Sequence, residues 1–107
     1  MTRIKYAAIL TCALLLTART AFAADARVTI DNFKFSPAQL VVDAGTRVIW
    51  TNQDDMPHTV VEATAAPTIS SPALDTGDSF AHVFTKAGTY HYYCSVHPYM
   101  LGTVVVR

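Results

Sequence analysis

Apolar and polar positions alternate in short runs along most of this chain. From residue 24 onward, seven segments (27–33, 39–42, 47–51, 59–62, 79–84, 89–94 and 102–106) alternate or are dense in β-branched and aromatic residues, the pattern of strands half-buried in a sheet. Between them stand Asp43-Ala44-Gly45, Asp75-Thr76-Gly77-Asp78 and Lys86-Ala87-Gly88, turn sequences in which Gly takes backbone angles other residues resist. The stretch 63–74, with Pro67, Ser70, Ser71 and Pro72, reads as the one long connection. No segment in this part carries a helical period, and there are no internal repeats. Short strands at regular spacing predict an all-β sandwich or barrel.

The same period assigns faces. In Thr89-Tyr90-His91-Tyr92-Tyr93-Cys94, residues Tyr90, Tyr92 and Cys94 share one side, so a core-facing Tyr pair points Cys94 inward and leaves His91 in solvent. In Ser79-Phe80-Ala81-His82-Val83-Phe84, His82 shares a side with Phe80 and Phe84 and is expected to be a hydrogen-bonded core histidine.

Residues 1–23 follow a different pattern. Arg3 and Lys5 precede an apolar run from Ala7 to Leu16 broken only by Thr11, and Ala21-Phe22-Ala23 supplies small residues where a signal peptidase reads them. The chain is therefore expected to carry an export signal over 1–23, cut after Ala23, and one domain over 24–107. The apolar run of about ten residues is well short of the ~20 needed to span a bilayer, so no membrane span is expected. Acylation at Cys12 is a poor alternative, because Thr11 occupies a position that wants Gly or Ala.

Removing the signal changes the charge and the thiol count. Five cationic residues against eight anionic ones leave 24–107 at −3, and no basic patch suggests nucleic acid. Cys94 becomes the sole cysteine, which excludes an intramolecular disulfide. A lone thiol in an oxidising compartment calls for a reason, and metal ligation is one.

The chemistry sits around that thiol. Cys94-Ser95-Val96-His97-Pro98-Tyr99-Met100 places thiolate, imidazole and thioether at C-x2-H-x2-M spacing between two strand-like runs, and His58 in Asp54-Asp55-Met56-Pro57-His58-Thr59 is the fourth candidate. Cys, two His and a weak Met make the donor set of a blue-copper centre. A soft thiolate anchors copper in both oxidation states, two neutral imidazoles suit either state, and an axial thioether tunes the potential. Two-residue spacers let one tight turn wrap a single ion, and Pro98 stiffens it. Met is a poor zinc ligand, which favours copper.

Val48-Ile49-Trp50-Thr51-Asn52 leading to Met56-Pro57-His58, then Ala87-Gly88-Thr89-Tyr90-His91-Tyr92 and the Cys94 to Met100 loop closed by Gly102-Thr103-Val104-Val105-Val106, resemble the cupredoxins, and the short ligand loop resembles the amicyanin type. The resemblance implies a Greek-key β-sandwich of seven to eight strands, one type 1 copper ion cycling between Cu(I) and Cu(II) on His58, Cys94, His97 and Met100, and one-electron transport in the periplasm. It further implies His97 as the electron port, ringed by Met56, Pro57, Pro98, Tyr99 and Leu101. If the chain works as amicyanin does, a dehydrogenase would be the donor and a cytochrome c the acceptor; chain length and charge suggest a monomer. Thr59 stands where many cupredoxins have Asn, and its hydroxyl is expected to bond toward Ser95. Asp54 and Asp55 would steer a basic partner or be simply solvated.

Two other functions are weighed against electron transport. Copper storage, delivery or resistance favours Met-rich or His-rich clusters, whereas 24–107 has only Met56 and Met100. A catalytic copper enzyme needs a second metal centre and more chain, so no enzyme activity is expected.

Overall fold

The computed structural model describes residues 24–107. The expected export signal at 1–23 lies outside the described residues. Among those described there is no helix, and none long and apolar enough to cross a membrane.

Eight strands form: β1 (Asp25–Asp31), β2 (Lys34–Ser36), β3 (Gln39–Val42), β4 (Thr46–Asn52), β5 (Val61–Glu62), β6 (Ser79–Phe84), β7 (Gly88–Tyr93) and β8 (Leu101–Val106). They make two four-stranded sheets, ordered β2-β1-β4-β6 and β3-β8-β7-β5. Both sheets are mixed, because β1 runs parallel to β4 and β3 parallel to β8 while the other pairings are antiparallel. The inner faces enclose one core, the all-β sandwich that strand spacing implied.

Alternation builds that core. Along β4, Thr46, Val48, Trp50 and Asn52 point inward, and along β8 Gly102, Val104 and Val106 do. Trp50 sits at the centre, with Tyr92 at 5.4 Å, Phe80 at 5.9 Å and Phe84 at 6.3 Å between ring centroids. Burying each such aromatic is worth roughly 1.5–3 kcal/mol. Tyr92 lies against Gly102 on the neighbouring strand, where any Cβ would overlap its ring. Only Gly permits this approach, which seats Tyr92 and the end of β7 that carries Cys94.

Three expectations are corrected. The run 27–33 is not one strand: β1 ends at Asp31, the chain turns at Asn32 and Phe33, and β2 returns at Lys34. Of 59–62, only Val61–Glu62 is strand, because Thr59 and Val60 enter the interior before pairing begins. His82 is half-buried on edge strand β6, packed edge-on to Phe84 at 4.7 Å, and is not a hydrogen-bonded core histidine. His91 does face solvent, with Nδ1 3.1 Å from Thr103 Oγ1. The long connection after β5 is no loose loop: Ile69 and Leu74 are buried, and the chain bridges back to Val61 and His58.

Candidate metal centre

At one end of the sandwich, β4 and β7 deliver the chain into two loops. Asn52, the last residue of β4, is completely buried and organises the first of them. Its Nδ2 donates to the carbonyls of Met56 and Leu74, both at 2.8 Å, and its Oδ1 accepts from the Asp54 amide at 2.9 Å. Main-chain bonds between His58 and Leu74 in both directions, at 3.1 and 2.8 Å, then fix where His58 enters the core. The second loop leaves β7 at Tyr93 and is closed on itself, since the Met100 amide donates to His97 O at 2.9 Å and the Cys94 amide to Met100 O at 3.2 Å.

The result brings together side chains that are distant in sequence. His58 Nδ1 lies 3.7 Å from Cys94 Sγ and 3.2 Å from His97 Nδ1, and His97 Nδ1 lies 3.9 Å from Sγ. His58 and Cys94 are buried and His97 half-buried. Met100, also buried, ends the same short loop. Two imidazole nitrogens and a sulfur at these separations match bonds of about 2.0–2.3 Å to one shared transition-metal ion, so the donors fit copper in both number and type.

Outer partners orient the donors. His58 Nε2 donates to Asp54 Oδ2 at 2.8 Å, which places the proton on Nε2 and leaves the Nδ1 lone pair facing Cys94 and His97. Asp54 is itself buried and also accepts from the amides of Asn32 (2.6 Å) and Phe33 (2.9 Å), while Thr76 Oγ1 donates to its carbonyl. Burial pushes the Asp54 carboxyl up, but the Phe33 and Asn32 amides, with His58, pull harder and hold it below its ordinary range. Asp54 is therefore neither a solvated loop charge nor a steering group. Sequence reasoning missed this role, because a four-residue separation in a loop implies no contact with His58.

Thr59 makes the expected tie. Its Oγ1 accepts from the Ser95 amide at 2.7 Å and lies 2.7 Å from Ser95 Oγ, while its amide donates to Cys94 Sγ at 3.4 Å. For the thiol, burial raises the pKa, but the Thr59 amide, His58 and His97 favour the thiolate and bring it down to about 6. Near neutral pH the sulfur is thus predominantly the form that binds metal.

Around His97 the surface is apolar. Tyr99 (69 % exposed), Leu101 (66 %) and Met56 (47 %) are exposed as expected, as are Pro57 and Pro98. Phe33 (37 %) and Val96 (52 %) join them unanticipated.

The sequence profile described as copper binding proteins, plastocyanin/azurin family, matches residues 22–107. Amicyanin of Paracoccus denitrificans is 34 % identical over 89 residues, covering 78 % of this chain and 68 % of that protein. Among solved structures, a purple cupredoxin from Nitrosopumilus maritimus superposes with a TM-score of 0.73 at 39 % identity, covering 78 % of this chain and 100 % of that one. A reduced amicyanin variant superposes with a TM-score of 0.74 at 34 % identity, covering 84 % and 88 %.

Proposed function

This chain belongs to the plastocyanin/azurin family of copper binding proteins, and from that membership we propose that it is a periplasmic one-electron carrier with a type 1 copper site on His58, Cys94, His97 and Met100. The observation that carries the reading is the convergence of His58 Nδ1, His97 Nδ1 and Cys94 Sγ within 4.8 Å of one another at the end of a rigid sandwich. Bound copper would supply a single reversible electron.

The remaining work falls to the protein. Cys94, drawn toward thiolate, anchors the site from the end of β7 and accepts the Thr59 amide. His58, buried and oriented by Asp54, cannot reach solvent. His97 is only half-buried and emerges among Met56, Val96, Tyr99 and Leu101, so it offers the short path by which an electron enters or leaves. Electron exchange is fast when the donor atoms need not move between oxidation states. The hydrogen bonds on Asn52, Asp54 and Thr59 hold His58 and the start of the Cys94 loop in place. An apolar rim around the port suits brief docking with a redox donor and acceptor, a dehydrogenase and a cytochrome c being the expected pair. Export through residues 1–23 would place the carrier in the periplasm as a monomer.

The reading is tested by adding Cu(II) to the purified protein and recording visible absorption and electron paramagnetic resonance beside Cys94→Ala. An intense blue or purple charge-transfer band that the variant lacks, followed by reversible one-electron voltammetry, is the expected result. Pale tetragonal copper indifferent to the variant would overturn it in favour of copper storage or delivery.

A further inference from the structure

Phe33 stands outside the donor set, yet its ring touches both imidazoles. Its centroid is 5.4 Å from that of His58 and 5.1 Å from that of His97, with interplanar angles of 89° and 87°. The ring is carried on strained backbone. Asn32 and Phe33 are the two central residues of the β1–β2 hairpin and have φ of 51° and 57°, the positive angles that such a tight loop requires. Asn tolerates this region, whereas a bulky aromatic there is an outlier whose cost the surrounding structure must offset. Asp54 does so by accepting both turn amides, and the same carboxylate holds His58 Nε2.

The two imidazoles differ in support. His58 has a hydrogen-bonded outer partner in Asp54. Among the described residues, the polar neighbours of His97 are the other donors themselves, Cys94 Sγ and His58 Nδ1. What remains against its ring is aromatic: Phe33 at 5.1 Å and the exposed Tyr99 at 6.2 Å.

We propose that Phe33 is a positioning residue for His97: locked by its turn, the ring walls the half-buried imidazole into the one orientation that aims Nδ1 at Cys94 and His58. The inference rests on reading His58 and His97 as ligands. It gives a reason for keeping Phe at a backbone position that disfavours it.

The test compares Phe33→Gly with Phe33→Tyr. Gly adopts positive φ freely, so the turn persists without the ring, and Tyr restores the ring. Nuclear magnetic resonance of the metal-free protein should show one ordered His97 ring in wild type and Phe33→Tyr. In Phe33→Gly it should show an exchange-broadened His97 ring while that of His58 stays sharp. With copper, Phe33→Gly should alter the hyperfine splitting and bind the metal roughly 10-fold more weakly, the low end for losing an outer partner. An unchanged His97 ring in Phe33→Gly would overturn the proposal. So would equal broadening of both rings together with a lowered melting temperature, the mark of simple lost packing. Should Phe33→Gly fail to fold, Phe33→Asn keeps the turn by the same tolerance, and failure of both would assign Phe33 to stability alone and overturn the proposal. Because the first readout needs no metal, failure of wild type to bind copper would count against the carrier reading and leave this comparison standing.

Discussion

The two ends of the sandwich obey opposite rules. At the end carrying Asp43, Gly45, Lys86 and Arg107, charged residues lie outside, Gly45 makes its turn at φ 92°, and Val42, Phe84 and Val106 fill the interior. At the other end the polar groups go in and the apolar ones come out. Asn52, Asp54, His58, Thr59 and Ser71 are buried, while Phe33, Met56, Val96, Tyr99 and Leu101 are exposed. Burying polar groups is tolerable only where each is hydrogen-bonded, and at this end the bonds form a connected set from Asn52 through Asp54 to His58 and from Thr59 to Ser95. A region that breaks the general rule and spends ordered hydrogen bonds to do so is where function is built. The distal end departs from the rule only singly, with Thr46 buried and Val41 and Val83 exposed, and its polar groups form no connected buried set.

The comparison breaks first at the thiol. Cys94→Ala removes the only soft anion from the donor group, so copper affinity should fall by more than the roughly 10–100-fold that loss of an outer partner costs. Metal titration followed by visible absorption measures it. Metal-free stability near pH 8 should fall as well, because the variant loses the thiolate that accepts the Thr59 amide.

Next comes the scaffold of the inverted end. Asn52→Ala strands the carbonyl acceptors of Met56 and Leu74 and the Asp54 amide at a fully buried position, and should destabilise the metal-free protein by about 3 kcal/mol in chemical denaturation. Asp54→Ala should cost about 1–3 kcal/mol and, separately, weaken copper binding by roughly 10–100-fold by freeing His58 Nε2 and the hairpin amides.

Protonation sharpens the contrast further. Cys94 titrates in the folded protein at about 6, below the ordinary thiol range near 8.5. A group whose folded pKa is depressed contributes stability that is full above its unfolded pKa and is lost as pH falls through the folded one. Metal-free stability should therefore fall as pH is lowered from about 8.5 toward 6, and Cys94→Ala should flatten that slope. Thiolate absorbance near 240 nm, titrated in the metal-free protein, locates the same transition directly.

The sequence reveals the two ends unequally for a physical reason. Period-two alternation and turn residues are local signals, and they place seven of the eight strands to within two residues at each end, missing only β2, along with the inward direction of Tyr90, Tyr92 and Cys94. Donor chemistry is also legible, because Cys, His and Met at two-residue spacing are rare by chance. Hidden from sequence are relations made across the fold. Asp54 looks like any loop carboxylate until folding sets it against amides 21 and 22 residues upstream. Phe33 closes the first strand-like segment on paper, but the chain turns beneath it at an angle Phe resists. Gly102 reads as a simple strand glycine until Tyr92 is seen lying on it. His82 satisfies the alternation of a core strand, yet β6 is a sheet edge and its inner face is only partly covered.

The smallest effect belongs to the distal end and tests whether that end is indifferent. Arg107 and Asp43 approach to 3.9 Å with side chains 70 % and 84 % exposed, a distance at the limit of an ion pair and in water of high dielectric. Exposed pairs contribute about 0.2–1 kcal/mol at best, and screening by salt reduces that further. The local backbone does not depend on the charges, because the Arg107 amide already donates to Val42 O at 2.9 Å and the Ala44 amide to Arg107 O at 3.1 Å. Asp43→Asn should therefore shift stability by less than about 0.5 kcal/mol and leave copper affinity, the visible spectrum and the reduction potential where they were. A change in the copper spectrum from this substitution would mean that the two ends communicate through the Trp50 core, and the division between a folding end and a functional end would have to be abandoned.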